Sequence, residues 1–429
     1  MATPKTPPAE HPATKKPAAP QLKSKKTKLT THLRTTDAQG LIKLVAQATV
    51  GITDIAENVH HSVLRSMRLV GHTTDEGVKR TGGISGLVYG SVRGITRLVD
   101  KGLNAALTGT TPFLDPPTDS LTPSSSERLA VMAALNGVLG DHLAASGNPL
   151  ATPMQLFHEG EPLPTQKTVN GKVLLLVHGL CMNDVQWQRD GHNHGTHLAQ
   201  TLGYTPIYLR YNTGLHTSIN GRELAQQLQR LQARWPVPIE SITLVVHSMG
   251  GLVARSACDH AAQAGQSWLQ QVDKLIFLGT PHHGAPLERA GNWVDVLLGS
   301  NRWSAPFTKL AQIRSSGITD LRYGHTLDAH WQGKNRFRRT PDTRTLLPLP
   351  ASVACYAIAA TMASKRNPIQ DRLMGDGLVP LPSALGEHAQ TSQRLQFPAN
   401  RQFVAYGCNH MQLLNQPQVA QKLATWLAA

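Results

Sequence analysis

The sequence predicts an α/β protein: a doubly wound, mostly parallel sheet, with an N-terminal helical subdomain and a disordered basic tail before it. Three observations carry that expectation. From about residue 165 to 429, short β-rich runs alternate with helical patterns, which is the signature of crossover-connected strands. The runs are continuously apolar rather than alternating, as strands buried on both faces must be. Ahead of them, the composition changes twice, near residue 37 and near residue 150.

Residues 1–37 form the first zone. Up to residue 36 they carry eight basic side chains against the single acid Glu10, among many Pro and Thr. Such a segment cannot bury enough apolar surface to offset the entropy of ordering, so disorder is expected. A solubilising tail is the simplest reading. The alternative is an electrostatic tether to an anionic membrane or granule surface. The absence of interleaved aromatics argues against nucleic acid.

The second zone, 38–150, is expected to be helical and contains a repeat. "LVAQATVGIT" from Leu44 and "LVYGSVRGIT" from Leu87 align at an offset of 43 residues, with Gly51 and Gly94 equivalent. Apolar residues at helical spacing suggest a hairpin packed on the rest of the chain; a lipid-surface or dimerisation element is the other reading. "SSSERLAVMAALNGVLGDHL" then offers Ser124 and Glu127 as a capping box for a third helix.

The third zone, 165–429, supplies the sheet. "KVLLLVHG", "TPIYLRYN", "SITLVVH", "DKLIFLGT", "SVACYAIAA" and "RQFVAYG" are the expected strands, with helices such as "INGRELAQQLQRLQARW" and "GGLVARSACDHAAQA" between them. An insertion of about 286–350, with Trp293, Trp303, Phe307 and Trp331 among several Arg, is expected to form a cap or lid.

The totals bound the function classes. The formal charge is +15 over 429 residues, and nearly half of the excess lies in the tail. Cys181, Cys258, Cys355 and Cys408 show no paired spacing and are expected to be reduced core thiols. No run approaches the roughly 18 apolar residues of a membrane span, and the N-terminus shows no apolar signal region. A cytoplasmic protein, with peripheral membrane association as an open possibility, is therefore expected. His192, His194 and His197 lie close together, but a zinc site needs a compatible fourth ligand. They are expected to form a polar loop, with no metal and no cofactor.

In doubly wound sheets the chemistry gathers at the C-terminal strand edges. "SITLVVH" is followed there by Ser248, Met249, Gly250 and Gly251, a serine at a strand–turn–helix junction. A plain helix N-cap would also place a serine there. The stretch V-H-S-M-G resembles the G-x-S-x-G elbow of serine lipases and esterases in the alpha/beta-hydrolase superfamily, with Val246 in place of the first glycine. "HGLCMNDVQW", "RYNTGLHTSINGREL" and "FLGTPHHGAPLERAGNW" resemble bacterial relatives of GPI inositol-deacylase-like lipases within it.

That resemblance implies a set of roles. Ser248 would be the nucleophile, Asp376 of "MGDGLVP" the acid and His410 of "CNHMQLL" the base, in the order the family uses. The backbone amides of Leu180 and Met249 would form the oxyanion hole. Each has a simpler reading: an ordinary Asp-Gly turn for Asp376, with Asp371 as a rival acid, and a capping role for His410. His178 is expected to be a structural hydrogen-bonder, and His282 and His283 to shape a loop. The implied activity is a carboxylic-ester hydrolase acting on a small-molecule or lipid ester. Acyl transfer with the same triad, or a surface-binding scaffold with a vestigial hydrolase body, are the alternatives.

Overall fold

The computed structural model describes residues 34, 36–47, 124–164, 167–285, 314–336, 338, 341–365, 371 and 375–429. The basic tail up to residue 33, residues 48–123 with all of the repeat but its first four positions, and the first part of the expected lid, 286–313, lie outside the described residues.

Residues 36–47 are helical, and α1 (Ser126–Ala145) follows. Ser125, not Ser124, caps α1: its hydroxyl accepts from the Arg128 N–H at 3.2 Å. The expected Ser124–Glu127 box does not form, because the Ser124 hydroxyl instead accepts from the guanidinium groups of Arg34 and Arg128. Arg128 also grips Asp37 at 2.5 Å, tying the 36–47 helix to α1.

The sheet has eight strands in the order β2-β1-β4-β3-β5-β6-β7-β8. They are β1 (Gln155–His158), β2 (Glu161–Pro162), β3 (Lys172–Val177), β4 (Thr205–Arg210), β5 (Ser241–His247), β6 (Val272–Leu278), β7 (Ala354–Thr361) and β8 (Gln402–Tyr406). From β4 to β8 every pairing is parallel, while β1 runs antiparallel to both β2 and β4. The six expected strands are all present, and the β1–β2 hairpin is an addition. Central strands are buried almost throughout: Leu175, Leu244 and Leu275 pair across β3, β5 and β6 and are sealed from solvent.

Helices α2 (His194–Leu202), α3 (Thr217–Arg234), α4 (Met249–Gln263) and α7 (Pro417–Ala428) flank the sheet; the short α5 (Ser316–Asp320) and α6 (Leu381–Ala384) sit in loops. The crossover from β3 to β4 runs opposite to those from β4 to β5 and from β5 to β6. Right-handed crossovers in opposite directions place α2 on one face and α3 with α4 on the other. In agreement, α3 packs on α4 and α7 on α2. The reversal falls between β3 and β5, so a crevice opens at their C-terminal ends.

The four cysteines are free and buried, and burial pushes their thiols up to about 12. Among the described residues no helix is long and apolar enough to cross a membrane.

Candidate active site

The strand β5 ends at His247 and α4 begins at Met249, leaving one residue for the turn. Ser248 makes it at φ 54° and ψ −126°, a positive φ that costs a residue with a Cβ about 1–3 kcal/mol. Two backbone bonds hold it there: Ser248 N–H donates to the Leu278 carbonyl at 2.9 Å, and Gly251 N–H donates to the Ser248 carbonyl at 3.0 Å. The turn also needs its glycine. A Cβ on Gly250 would stand 2.6 Å from the Val177 carbonyl oxygen, where the end of β3 passes the helix. Ser248 occupies the N-cap position, yet its side chain caps nothing. Its buried hydroxyl has no hydrogen-bond partner among the described residues.

The turn after β3 lies directly over the serine. A Cβ on Gly179 would fall 2.9 Å from the Ser248 Cβ and 3.4 Å from its Oγ. Leu180 is the next residue. Side chains beyond β4 pin this turn: Tyr211 donates to the His178 carbonyl at 2.8 Å and stacks on the His178 ring, and Cys181 N–H donates to Thr213 Oγ1 at 3.1 Å. The His178 ring donates from Nδ1 to the Gly179 carbonyl at 2.9 Å, and burial pushes its pKa down to about 4. It is a neutral structural group. Met249 opens α4, so its N–H has no carbonyl within the helix to meet.

The acid and the histidine come from two loops that close on each other. Asp376 sits between Gly375 and Gly377, both at positive φ, and is buried. Its Oδ1 accepts from the Leu378 and Val379 amides at 2.9 and 2.8 Å. Its Oδ2 accepts from His410 Nδ1–H at 2.6 Å, and the His410 amide donates to the Asp376 carbonyl at 3.0 Å. Asp371, the rival acid, instead accepts from the Thr361 hydroxyl at 2.8 Å.

Two further contacts bring this pair to the elbow. The His410 ring packs 4.7 Å from that of His247, the residue before Ser248. The His247 Nε2–H donates to the His410 carbonyl at 3.2 Å. Full burial, followed by the nearby His410, drives the His247 pKa well below the usual imidazole value, so it is a neutral donor. Sequence reading assigned His247 no role; its position beside the turn was the only signal.

The remaining histidines have structural partners. His192 donates to His194 at 2.9 Å, and His194 donates to the Leu413 carbonyl at 2.9 Å, steadying the turn that carries His410. Among the described residues no group of three His, Cys, Asp or Glu is arranged to hold a metal. His283 donates to the Gly386 carbonyl at 3.0 Å. Arg255 reaches the His282 ring at 3.4 Å, and Arg344 donates to the His282 carbonyl at 3.1 Å.

Residues 168–346 match the family model of the PGAP1-like alpha/beta domain. The eight-stranded, mostly parallel sheet with helices on both faces agrees with an alpha/beta domain of that kind. Solved structures similar to this chain include the mature lipase BlEst2 of Bacillus licheniformis, at 18% identity, 64% of this chain, 98% of that one and a TM-score of 0.39. EstA from Clostridium botulinum is similar at 13% identity over 62% of this chain and 88% of its own, with a TM-score of 0.38. Phospholipase PlaB from Legionella pneumophila is similar at 14% identity over 59% of each chain, also with a TM-score of 0.38. No curated protein matches the chain.

Proposed function

We propose that this domain is an alpha/beta-hydrolase, a serine carboxylic-ester hydrolase working through an acyl-enzyme. The observation that carries the reading is the buried Asp376–His410 pair, packed through His247 against a strained serine whose hydroxyl is otherwise unclaimed. In this reading His410, held in one tautomer by Asp376, takes the Ser248 proton as Oγ attacks the ester carbonyl. The new oxyanion accepts from the Leu180 and Met249 amides, each donor contributing about 3–4 kcal/mol to the transition state. His410 then gives its proton to the leaving alcohol. Water, activated by the same imidazole, releases the acid and restores Ser248.

The test is turnover of p-nitrophenyl esters by Ser248→Ala. We expect kcat to fall by about 10⁴–10⁶-fold with folding unchanged. A folded variant that keeps wild-type turnover would remove Ser248 from the reaction.

A further inference from the structure

A cavity of about 120 Å³ lies beside α5, lined from its other side by residues among 322–336, 338 and 341–344. Gly317 of α5 faces the Met249 methyl, while Thr319 and Asp320 of the same helix line this cavity. Five permanent cations line it as well: Arg322, Lys334, Arg336, Arg338 and Arg344. Only two carboxylates do, and both are engaged within the wall. Asp320 accepts from the His216 ring at 2.9 Å and the Thr217 amide at 2.8 Å, and Asp342 accepts from Arg344 Nε at 3.0 Å.

Two of the cations are fixed by the fold. Arg344 donates to the carbonyls of His282 and Gly324, and Arg336 reaches Asp141 and the Ser316 hydroxyl. Arg322 donates to the Arg338 carbonyl at 2.8 Å, while Lys334 and Arg338 are exposed. One wall is a rigid aromatic stack, Trp331 lying flat on His216 at 3.8 Å, with the indole N–H held by Ser218. Like-charged groups converging on a partly desolvated concavity focus a positive potential at its mouth. Guanidinium forks suit phosphate oxygens in both charge and geometry. The volume is well below the roughly 300–1,000 Å³ of a drug-sized site, so it suits one compact group.

We infer that this cavity binds a phosphate group, either free or carried on a lipid headgroup. The inference stands apart from the esterase reading, since none of the cavity residues takes part in that chemistry. The test uses the full-length protein titrated with inorganic phosphate at ionic strength held constant with potassium chloride, followed by Trp331 fluorescence and calorimetry. Trp331→Phe assigns the optical signal. Saturable binding is expected, with Lys334→Gln/Arg338→Gln raising Kd at least tenfold while its phosphate-free Tm stays at the wild-type value. Ser248→Ala should bind as wild type, so loss of the esterase reading leaves this result intact.

A parallel arm sediments the protein with phosphatidylcholine vesicles with and without phosphatidic acid. Loss of phosphatidic-acid-dependent binding in the double variant, with competition by soluble phosphate, assigns the site to a headgroup. Unchanged vesicle binding beside lost phosphate binding assigns it to free phosphate. A phosphate response no larger than that to chloride, or a wild-type Kd in the double variant, overturns the proposal.

Discussion

Ser248 is held at positive φ with its hydroxyl unclaimed, whereas Asp376, 34 residues before His410, has both carboxylate oxygens occupied. One side of the site is strained and unsatisfied; the other is held at every polar atom of the acid. Strain of about 1–3 kcal/mol at the elbow, and a similar cost for the buried hydroxyl, are offset by the sheet around them. The contrast teaches where each kind of change should register. Alterations on the acid side should reach activity through the imidazole, and those on the serine side should trade activity against stability.

The largest expected effect tests the acid side. Asp376→Asn can still accept the Leu378 and Val379 amides at Oδ1, but it presents an amide to His410 and misorients the ring. We expect kcat on p-nitrophenyl esters to fall about 10⁴-fold with little change in urea midpoint. Near-normal turnover would show that His410 is positioned without its carboxylate. The next effect tests the serine side. Gly179→Ala would push a methyl to within 2.9 Å of the Ser248 Cβ, displacing the turn that carries Leu180. A loss of about 10²-fold in kcat is expected, as for one oxyanion donor; unchanged kcat would detach that turn from catalysis.

Ser248→Gly should be inactive yet more stable, by about 1–3 kcal/mol in urea unfolding, because it relieves the positive φ and removes the buried hydroxyl. A less stable variant would mean the elbow carries no strain. A further effect is a pH dependence of stability shared by both sides, through His178 in the turn over the serine and His194, which donates to Leu413 in the His410 turn. Burial lowers both to about 4, from an ordinary value of 6.5. Between those values the unfolded chain binds protons that the native state refuses, so stability falls as pH drops from about 6.5 to about 4. Each group contributes a slope of about 1.4 kcal/mol per pH unit. Unfolding free energies measured across that window should give a shallower slope in His178→Gln; an unchanged slope would contradict the assignment.

Much of this was legible in the sequence, for a physical reason. Runs such as "KVLLLV" and "SITLVV" are apolar at every position because both faces are buried, and that pattern survives without coordinates. Ser248 stood out because it directly follows such a run, whereas Asp376 and His410 were singled out by the resemblance to the family's order of residues. What stayed hidden depends on contact. The β1–β2 hairpin is short, and Glu161–Pro162 is exposed, so it lacks the apolar signal. The cap of α1 shifted by one residue because two arginines engage Ser124, a competition no local motif encodes. Asp376 was already preferred to Asp371 for its flanking glycines; what only contact shows is that His410 meets Asp376 while Thr361 takes Asp371. Arg322, Arg336, Arg338 and Arg344 were visible only as scattered charges, and their convergence beside α5 depends on contacts no local pattern encodes.

The most direct test of the central claim is covalent. A fluorophosphonate probe needs a serine activated by an imidazole, so the folded wild-type chain should label once, on the peptide containing Ser248, and His410→Ala should label far more slowly. Stoichiometric labelling of Ser248→Ala, or no labelling of the folded wild-type protein, would contradict the account.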